Sequence, residues 1–187
     1  DRIDKIMSNI DKDKIKIGYL GVIKEDRIDS NLLEYLLTEH GDKQFIFSGP
    51  IAGNFNTERF KKFNNIIFTG AMSYFEMPYL YSKFDICIIP HLLNDFIKSM
   101  DPVKIYGYLA AGKPIVSVPV PGVEKFADLI DVASNKEDFS NSIKRISEDK
   151  ENFSYDKIIE RQNAVKSDSW GSRADEMINL INYGIIK

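Results

Sequence analysis

The sequence predicts an α/β domain, an open and mostly parallel sheet of about six strands with helices on both faces. Three observations predict it. Short β-prone apolar runs alternate with helical patterns, and that alternation implies parallel strands joined by right-handed crossovers. The run Ile86-Cys87-Ile88-Ile89 is apolar at every position, as a strand buried on both faces of a parallel sheet must be. A polar loop (HLLNDFIKSM), a helical stretch (DPVKIYGYLAAG) and a second apolar run (KPIVSV) then follow in the order of a βαβ unit.

Taken in order, residues 1–13 carry Ile3, Ile6, Met7 and Ile10 at helical spacing and read as an entering helix or linker. Strands are expected at 16–20, 44–47, 66–68, 86–89, 115–118 and 129–132. Helices are expected between them at 29–39, 57–63, 74–83, 102–111 and 123–128, and three more at 136–148, 155–167 and 171–183 close the chain. In the 102–111 helix, Asp101 reads as the N-cap, Pro102 as the first helical residue and Gly112 as the stop. There is no internal repeat or low-complexity stretch, and 149–152 reads as a solvated turn.

The 187 residues suit one domain with a sizeable core, and 43% hydrophobic with 28% charged residues is ordinary for a globular protein. A net charge of -3 argues against a nucleic-acid binder. No apolar run of about 18 residues predicts a transmembrane helix, and no signal peptide is visible. The single cysteine, Cys87, lies in an apolar strand and reads as a small core residue, which fits a reducing cytoplasm.

The loop after the 86–89 strand sits at the carboxyl end of the sheet, where open α/β folds bind ligands. The helix start aimed at that crevice offers amides to an anion. A diphosphate there would meet Lys98, the Ser99 hydroxyl, the amides of Val103 and Lys104, and the Lys104 ammonium. Lys104 reads equally as a stem lying on the helix surface. The first strand-helix turn, GYLGVIKEDRID, has Gly18 and Gly21 but no Gly-x-Gly-x-x-Gly, which weighs against a nicotinamide or flavin site. Lys24 and Arg27 in that turn fit either a phosphate site or a solvated loop. His91, at the ligand-bearing edge, reads as structural, and His40 ends a helix where its charge suits the dipole. His40, His91 and Cys87 lack metal-ligand spacing. A receiver-type phosphoacceptor would want an Asp at the end of the third strand, where Thr69-Gly70 stands.

The segment Pro-x-Lys-x-Tyr-x-Tyr-Leu-Ala-Ala-Gly-Lys-Pro-Ile-Val, from Pro102, resembles the donor-binding half of group 1 (family 4) glycosyltransferases with the GT-B fold. The resemblance extends over nearly the whole chain in the right order. It runs through Ile17 to Gly21, the FIFSGP of 45–50, the NIIFTG of 65–70, Met77-Pro78-Tyr79-Leu80-Tyr81 with Phe84-Asp85, and Ser169-Trp170 with Arg173-Ala174.

The resemblance implies a Rossmann-like half of a GT-B enzyme. Residues 14–168 would bind a nucleotide sugar, and residues 169–187 would form a helix returning toward an amino-terminal domain outside this chain. It implies transfer of a sugar, with retention, from a nucleoside-diphosphate sugar to a saccharide or lipid-linked acceptor held by that other domain. No cofactor beyond the donor is implied, and the chain alone would be inactive. Peripheral membrane association of a longer protein stays open.

In the family, an Arg and a Lys five residues later bind the donor pyrophosphate; here those positions are Val22 and Arg27, after Gly21. The turn Gly70-Ala71-Met72 would face the nucleobase. The family's paired Glu residues fall on Ser99 and Gly107, and the second would bind the ribose. Gly107 also costs a helix interior roughly 1 kcal/mol relative to Ala, so replacing it with Glu is expected to stabilise the helix. A catalytically silent binding or scaffolding domain and a nucleotide-sugar epimerase of the same fold are the alternatives.

Overall fold

The computed structural model describes residues 4, 6, 8, 10–100 and 102–182. Its strands are β1 (Lys16–Leu20), β2 (Gln44–Ser48), β3 (Ile66–Gly70), β4 (Ile86–Ile89), β5 (Ile115–Ser117) and β6 (Ile130–Val132). All pair in parallel in the spatial order β3-β2-β1-β4-β5-β6. Every residue of β2 and β4 is buried, the polar ends Gln44 and Ser48 of β2 included, as central strands of a sheet flanked by helices are.

The helices are α1 (Ser30–Glu39), α2 (Met77–Lys83), α3 (Asp95–Lys98), α4 (Lys104–Ala110), α5 (Lys136–Glu148), α6 (Tyr155–Ala164) and α7 (Trp170–Asn182). Local chemistry sets their starts. The Asp29 carboxylate accepts from the amides of Asn31 and Leu32 at the head of α1, and Asn135 accepts from the Asp138 amide at the head of α5. The inward stripe of α5, Phe139, Ile143 and Ile146, joins the core. Gly112 ends α4 with φ 69°, where a Cβ would also lie 2.6 Å from Ile158.

Several helices are shorter than the sequence predicts. The stretches 57–63 and 123–128 are single 3-10 turns, Thr57–Phe60 and Val123–Phe126. The second is entered through Gly122 at φ 85° and followed closely by β6, which leaves room for one turn. α2 begins at Met77, because Glu76 folds back to accept from the Ser73 amide at 2.7 Å and Pro78 fixes the first turn. α4 begins at Lys104, so Pro102 precedes the helix and its carbonyl accepts from Ile105. The expected cap Asp101 lies outside the described residues. α6 gives way after Ala164 to i→i−3 bonds, and the polar loop contains the one-turn α3. The element expected over residues 1–13 falls largely outside the described residues, as does Tyr183. α7 has no buried residue among those described.

Strand order reverses between β1 and β4, and there the two strands part. They pair only at Ile17–Ile86 and Gly18–Cys87. Beyond that point the Leu20 amide donates to the Tyr108 hydroxyl of α4 at 2.8 Å. The loop after β1 is then fastened on both sides. Ile23 bridges to Ile51, Ile28 bridges to His91, the Leu92 amide donates to the Arg27 carbonyl, and Asn94 donates to the Asp26 carbonyl. Among the described residues no helix is long and apolar enough to cross a membrane.

Candidate functional site

The parting of β1 and β4 opens a crevice at their carboxyl ends, the place where folds of this topology accept ligands. Lys104, the first residue of α4, turns inward to fill it. Its Nζ lies 2.9 Å from His91 Nε2 and 3.3 Å from Tyr19 Oη, and 4.6 Å from the centre of the Tyr19 ring. The Tyr19 hydroxyl donates in turn to the Val22 carbonyl at 3.1 Å, and its ring stacks on Phe47. Gly21 lines the same space. Its φ is 152°, and a Cβ there would stand 3.1 Å from Tyr19 Oη and 3.3 Å from Lys104 Nζ.

Arg27 supplies a second positive charge. Its guanidinium lies 5.3 Å from the centre of the Phe96 ring, and its Nε is buried without a hydrogen-bond partner. Neither Arg27 nor Lys104 is paired with a carboxylate among the described residues. The cost of this shows in the protonation equilibria. Burial, reinforced by the charge of Arg27, brings Lys104 down to about 7. Burial, then the charges of Lys104 and Arg27, bring His91 down to about 3, so the imidazole is neutral and its Nε2 accepts from the lysine. Among the described residues the positive charge of both side chains is thus left without a counter-ion, the electrostatic arrangement that favours an anion.

The structure therefore brings together Arg27, Lys104 and Gly21. It does not bring Lys98 or Ser99 to them. Lys98 is exposed and lies 3.9 Å from Asp95 on α3, while the Ser99 hydroxyl donates to the Phe96 carbonyl of its own turn. Lys24 pairs with Asp26, as a solvated loop predicts. Val103 is exposed at the start of α4. His91 is structural in a particular sense, since it is 2% exposed and holds Lys104. Tyr19 and Tyr108 were not singled out from the sequence. Their signal was there, because a tyrosine in an otherwise apolar buried element must find a partner for its hydroxyl.

A second feature adjoins the outer face of α4. A groove of about 710 Å³ runs between α2, α4 and the segment joining α6 to α7, with Met77, Tyr81, Tyr106, Gly107 and Trp170 among its walls. Of the residues expected near the base and ribose, Gly107 lines this groove and Gly70, Ala71 and Met72 do not. Gly70 turns the chain at the end of β3 with φ 75°. At Gly107 a Cβ would lie 2.9 Å from the Tyr81 hydroxyl, so the tyrosine occupies the space that a side chain would need.

A protein-family model described as "Glycosyl transferases group 1" matches residues 16–149. A Bacillus subtilis (strain 168) protein named as a teichuronic acid biosynthesis glycosyltransferase, TuaH, is 28% identical over 116 residues, which cover 61% of this chain and 29% of that protein. Among solved structures, HepE of Anabaena in complex with UDP-glucose superposes with a TM-score of 0.72 at 13% identity, covering 99% of this chain and 53% of that one. The UDP-GlcNAc 2-epimerase of Neisseria meningitidis bound to UDP-GlcNAc superposes with a TM-score of 0.61 at 15% identity, over 88% of this chain and 45% of that one. The chain thus spans about half the length of these structures and less of TuaH.

Proposed function

The chain belongs to the group 1 glycosyl transferases, and from that premise we propose that it is the donor-binding half of a glycosyltransferase that uses a nucleoside-diphosphate sugar. The observation that carries the reading is the pair of basic side chains beside the switch between β1 and β4, Lys104 and the nearby Arg27, neither paired with a carboxylate among the described residues. A diphosphate supplies that anion. As the bond from the sugar to the diphosphate breaks, negative charge grows on the departing phosphate, and charges fixed in a partly dry crevice stabilise it most at that moment. His91 and Tyr19 hold the lysine in place, so little reorganisation is needed when the charge develops.

The same logic supports a reaction without a metal, since two protein cations provide the neutralisation. Retention at the sugar, and a saccharide or lipid-linked acceptor presented by a facing domain, complete the proposal. UDP is the first donor nucleotide to test, because HepE binds UDP-glucose. An epimerase is the second reading, favoured by the superposition on the UDP-GlcNAc 2-epimerase.

Calorimetric titration with UDP, GDP and ADP, with their sugars, and with the matching monophosphates tests the proposal. A diphosphate that binds at least tenfold more tightly than its monophosphate supports it, and equal affinity for the two, or no binding by any, refutes it. Conversion of UDP-GlcNAc to an epimer without an acceptor would select the second reading.

A further inference from the structure

The groove of about 710 Å³ beside α4 shares no lining residue with the crevice of Lys104, Arg27 and Gly21. Its volume is that of a ligand site, and its walls are of two kinds. Aromatic rings reach it from separate elements: Tyr74 ahead of α2, Tyr106 on α4 and Trp170 at the start of α7. Tyr74 and Trp170 are 72% and 70% exposed, so neither ring belongs to the core. Arg173 ties the other two rings together. Its guanidinium lies 5.0 Å from the centre of the Tyr106 ring and 6.0 Å from that of Trp170, and it reaches Asp168 at 3.7 Å.

The polar wall comes from α6 and the segment after it. The side-chain amides of Gln162 and Asn163 line the groove and make no hydrogen bond among the described residues. The two charged lining residues, Lys166 and Asp168, are of opposite sign, and Asp168 is already paired with Lys125 at 2.7 Å. The groove therefore favours a ligand without net charge. A purely apolar ligand would cover the two amides and leave them unsatisfied, which costs free energy. The chemistry that answers both walls is a neutral molecule with C–H faces for the rings and hydroxyls for the amides, each of which offers donors and an acceptor.

From this lining we propose that the groove is a saccharide-binding site, separate from the donor crevice. It holds a neutral glycan by stacking sugar rings on Trp170 and Tyr74 and bonding their hydroxyls through Gln162 and Asn163. The reading stands on the groove alone and does not depend on the donor site. Both sites lie along α4, which gives Lys104 to one and Tyr106 to the other, so the domain has a hold on a glycan while the crevice is occupied.

Trp170 is the only tryptophan of the chain, so its fluorescence reports on the groove directly. The test titrates the chain with maltotriose, cellotriose, chitotriose and mannotriose, and with octanol as an apolar control, reading Trp170 emission and titration heat. It is repeated on Tyr74→Ala and Gln162→Leu, and by heat alone on Trp170→Ala, with melting temperatures as the fold control. At least one trisaccharide is expected to bind at millimolar concentration or below and to shift the emission. Each variant is expected to weaken that sugar roughly three- to tenfold, the worth of one aromatic contact or hydrogen bond, and to melt and bind UDP as the unmodified chain does. No binding by any of the four sugars, or binding of octanol in their place, overturns the proposal. So does displacement of the sugar by UDP, or full sugar affinity in a folded Tyr74→Ala or Trp170→Ala variant. The donor-site reading is decided separately, by the nucleotide titrations above.

Discussion

His91 Nε2 lies 2.9 Å from Lys104 Nζ, and the imidazole that receives the ammonium is almost wholly buried. The contact positions the lysine but does not neutralise it. Its charge is held close to loss, with Arg27 nearby and no carboxylate paired with either one among the described residues. On the proposed function, proton and anion binding are therefore linked at this position.

The first prediction is proton uptake on binding. Lys104 in the free chain titrates near 7, and a bound diphosphate favours its charged form and raises that value. At pH 8 most free lysine is neutral, so binding UDP should draw in a fraction of a proton approaching one; at pH 6 the lysine is already charged and uptake should be close to nil. Titration heats in buffers of different ionisation enthalpy measure this. Uptake that persists in Lys104→Gln would assign the proton to another group.

Acid should weaken the fold through the histidines. His91 is lowered to about 3 and His40 to about 4, each chiefly by burial. The unfolded chain therefore binds more protons than the folded one between roughly pH 6.5 and those values, and stability falls as pH drops through that window. For His91 the loss by pH 4 is about 3 kcal/mol. Denaturant melts from pH 7 to pH 4 should show a declining midpoint, with a shallower decline in His91→Gln. Lys104 acts in the same sense higher up: its lowered value makes stability rise with pH from about 7 toward its ordinary range.

Tyr108→Phe should destabilise the chain by about 1–3 kcal/mol, because it strands the buried Leu20 amide at the point where β1 leaves β4. Equilibrium unfolding measures the loss. A change within a few tenths of a kcal/mol would mean that water or another group satisfies that amide.

Gly107→Glu should lower the melting temperature, the reverse of the expectation from helix propensity. The gain of roughly 0.5–1 kcal/mol in the helix is opposed by about 1–3 kcal/mol for forcing Tyr81 from its place. Thermal melts of the variant decide which is larger. A raised melting temperature would show that Tyr81 swings aside at little cost.

Gly107 shows where sequence reading reaches its limit. Its helical position was legible, but the ring that fills its side-chain space comes from α2, a contact across elements that no local pattern reports. β4 could be read to the residue, because an unbroken apolar run between turn residues leaves little choice, and β1 was placed at the same bounds. The stretches 57–63 and 123–128 carried helical spacing too short to distinguish a helix from one 3-10 turn. At the site, Arg27, Gly21 and Lys104 lie on elements whose order places them at the switch point, so topology alone brings them together. Lys98 and Ser99 were expected beside them on sequence proximity, but the single turn of α3 takes up both side chains elsewhere.

The most direct measurement of the central claim is UDP affinity in Lys104→Ala and Arg27→Ala, each compared with the unmodified chain at pH 6.5. Loss of a charged hydrogen bond costs roughly 1.5–3 kcal/mol, so each variant should bind about ten- to a hundredfold more weakly, and Lys98→Ala should bind nearly as well as the unmodified chain. Folded Lys104→Ala and Arg27→Ala variants that bind UDP with unchanged affinity would contradict the account and move the diphosphate away from the switch between β1 and β4.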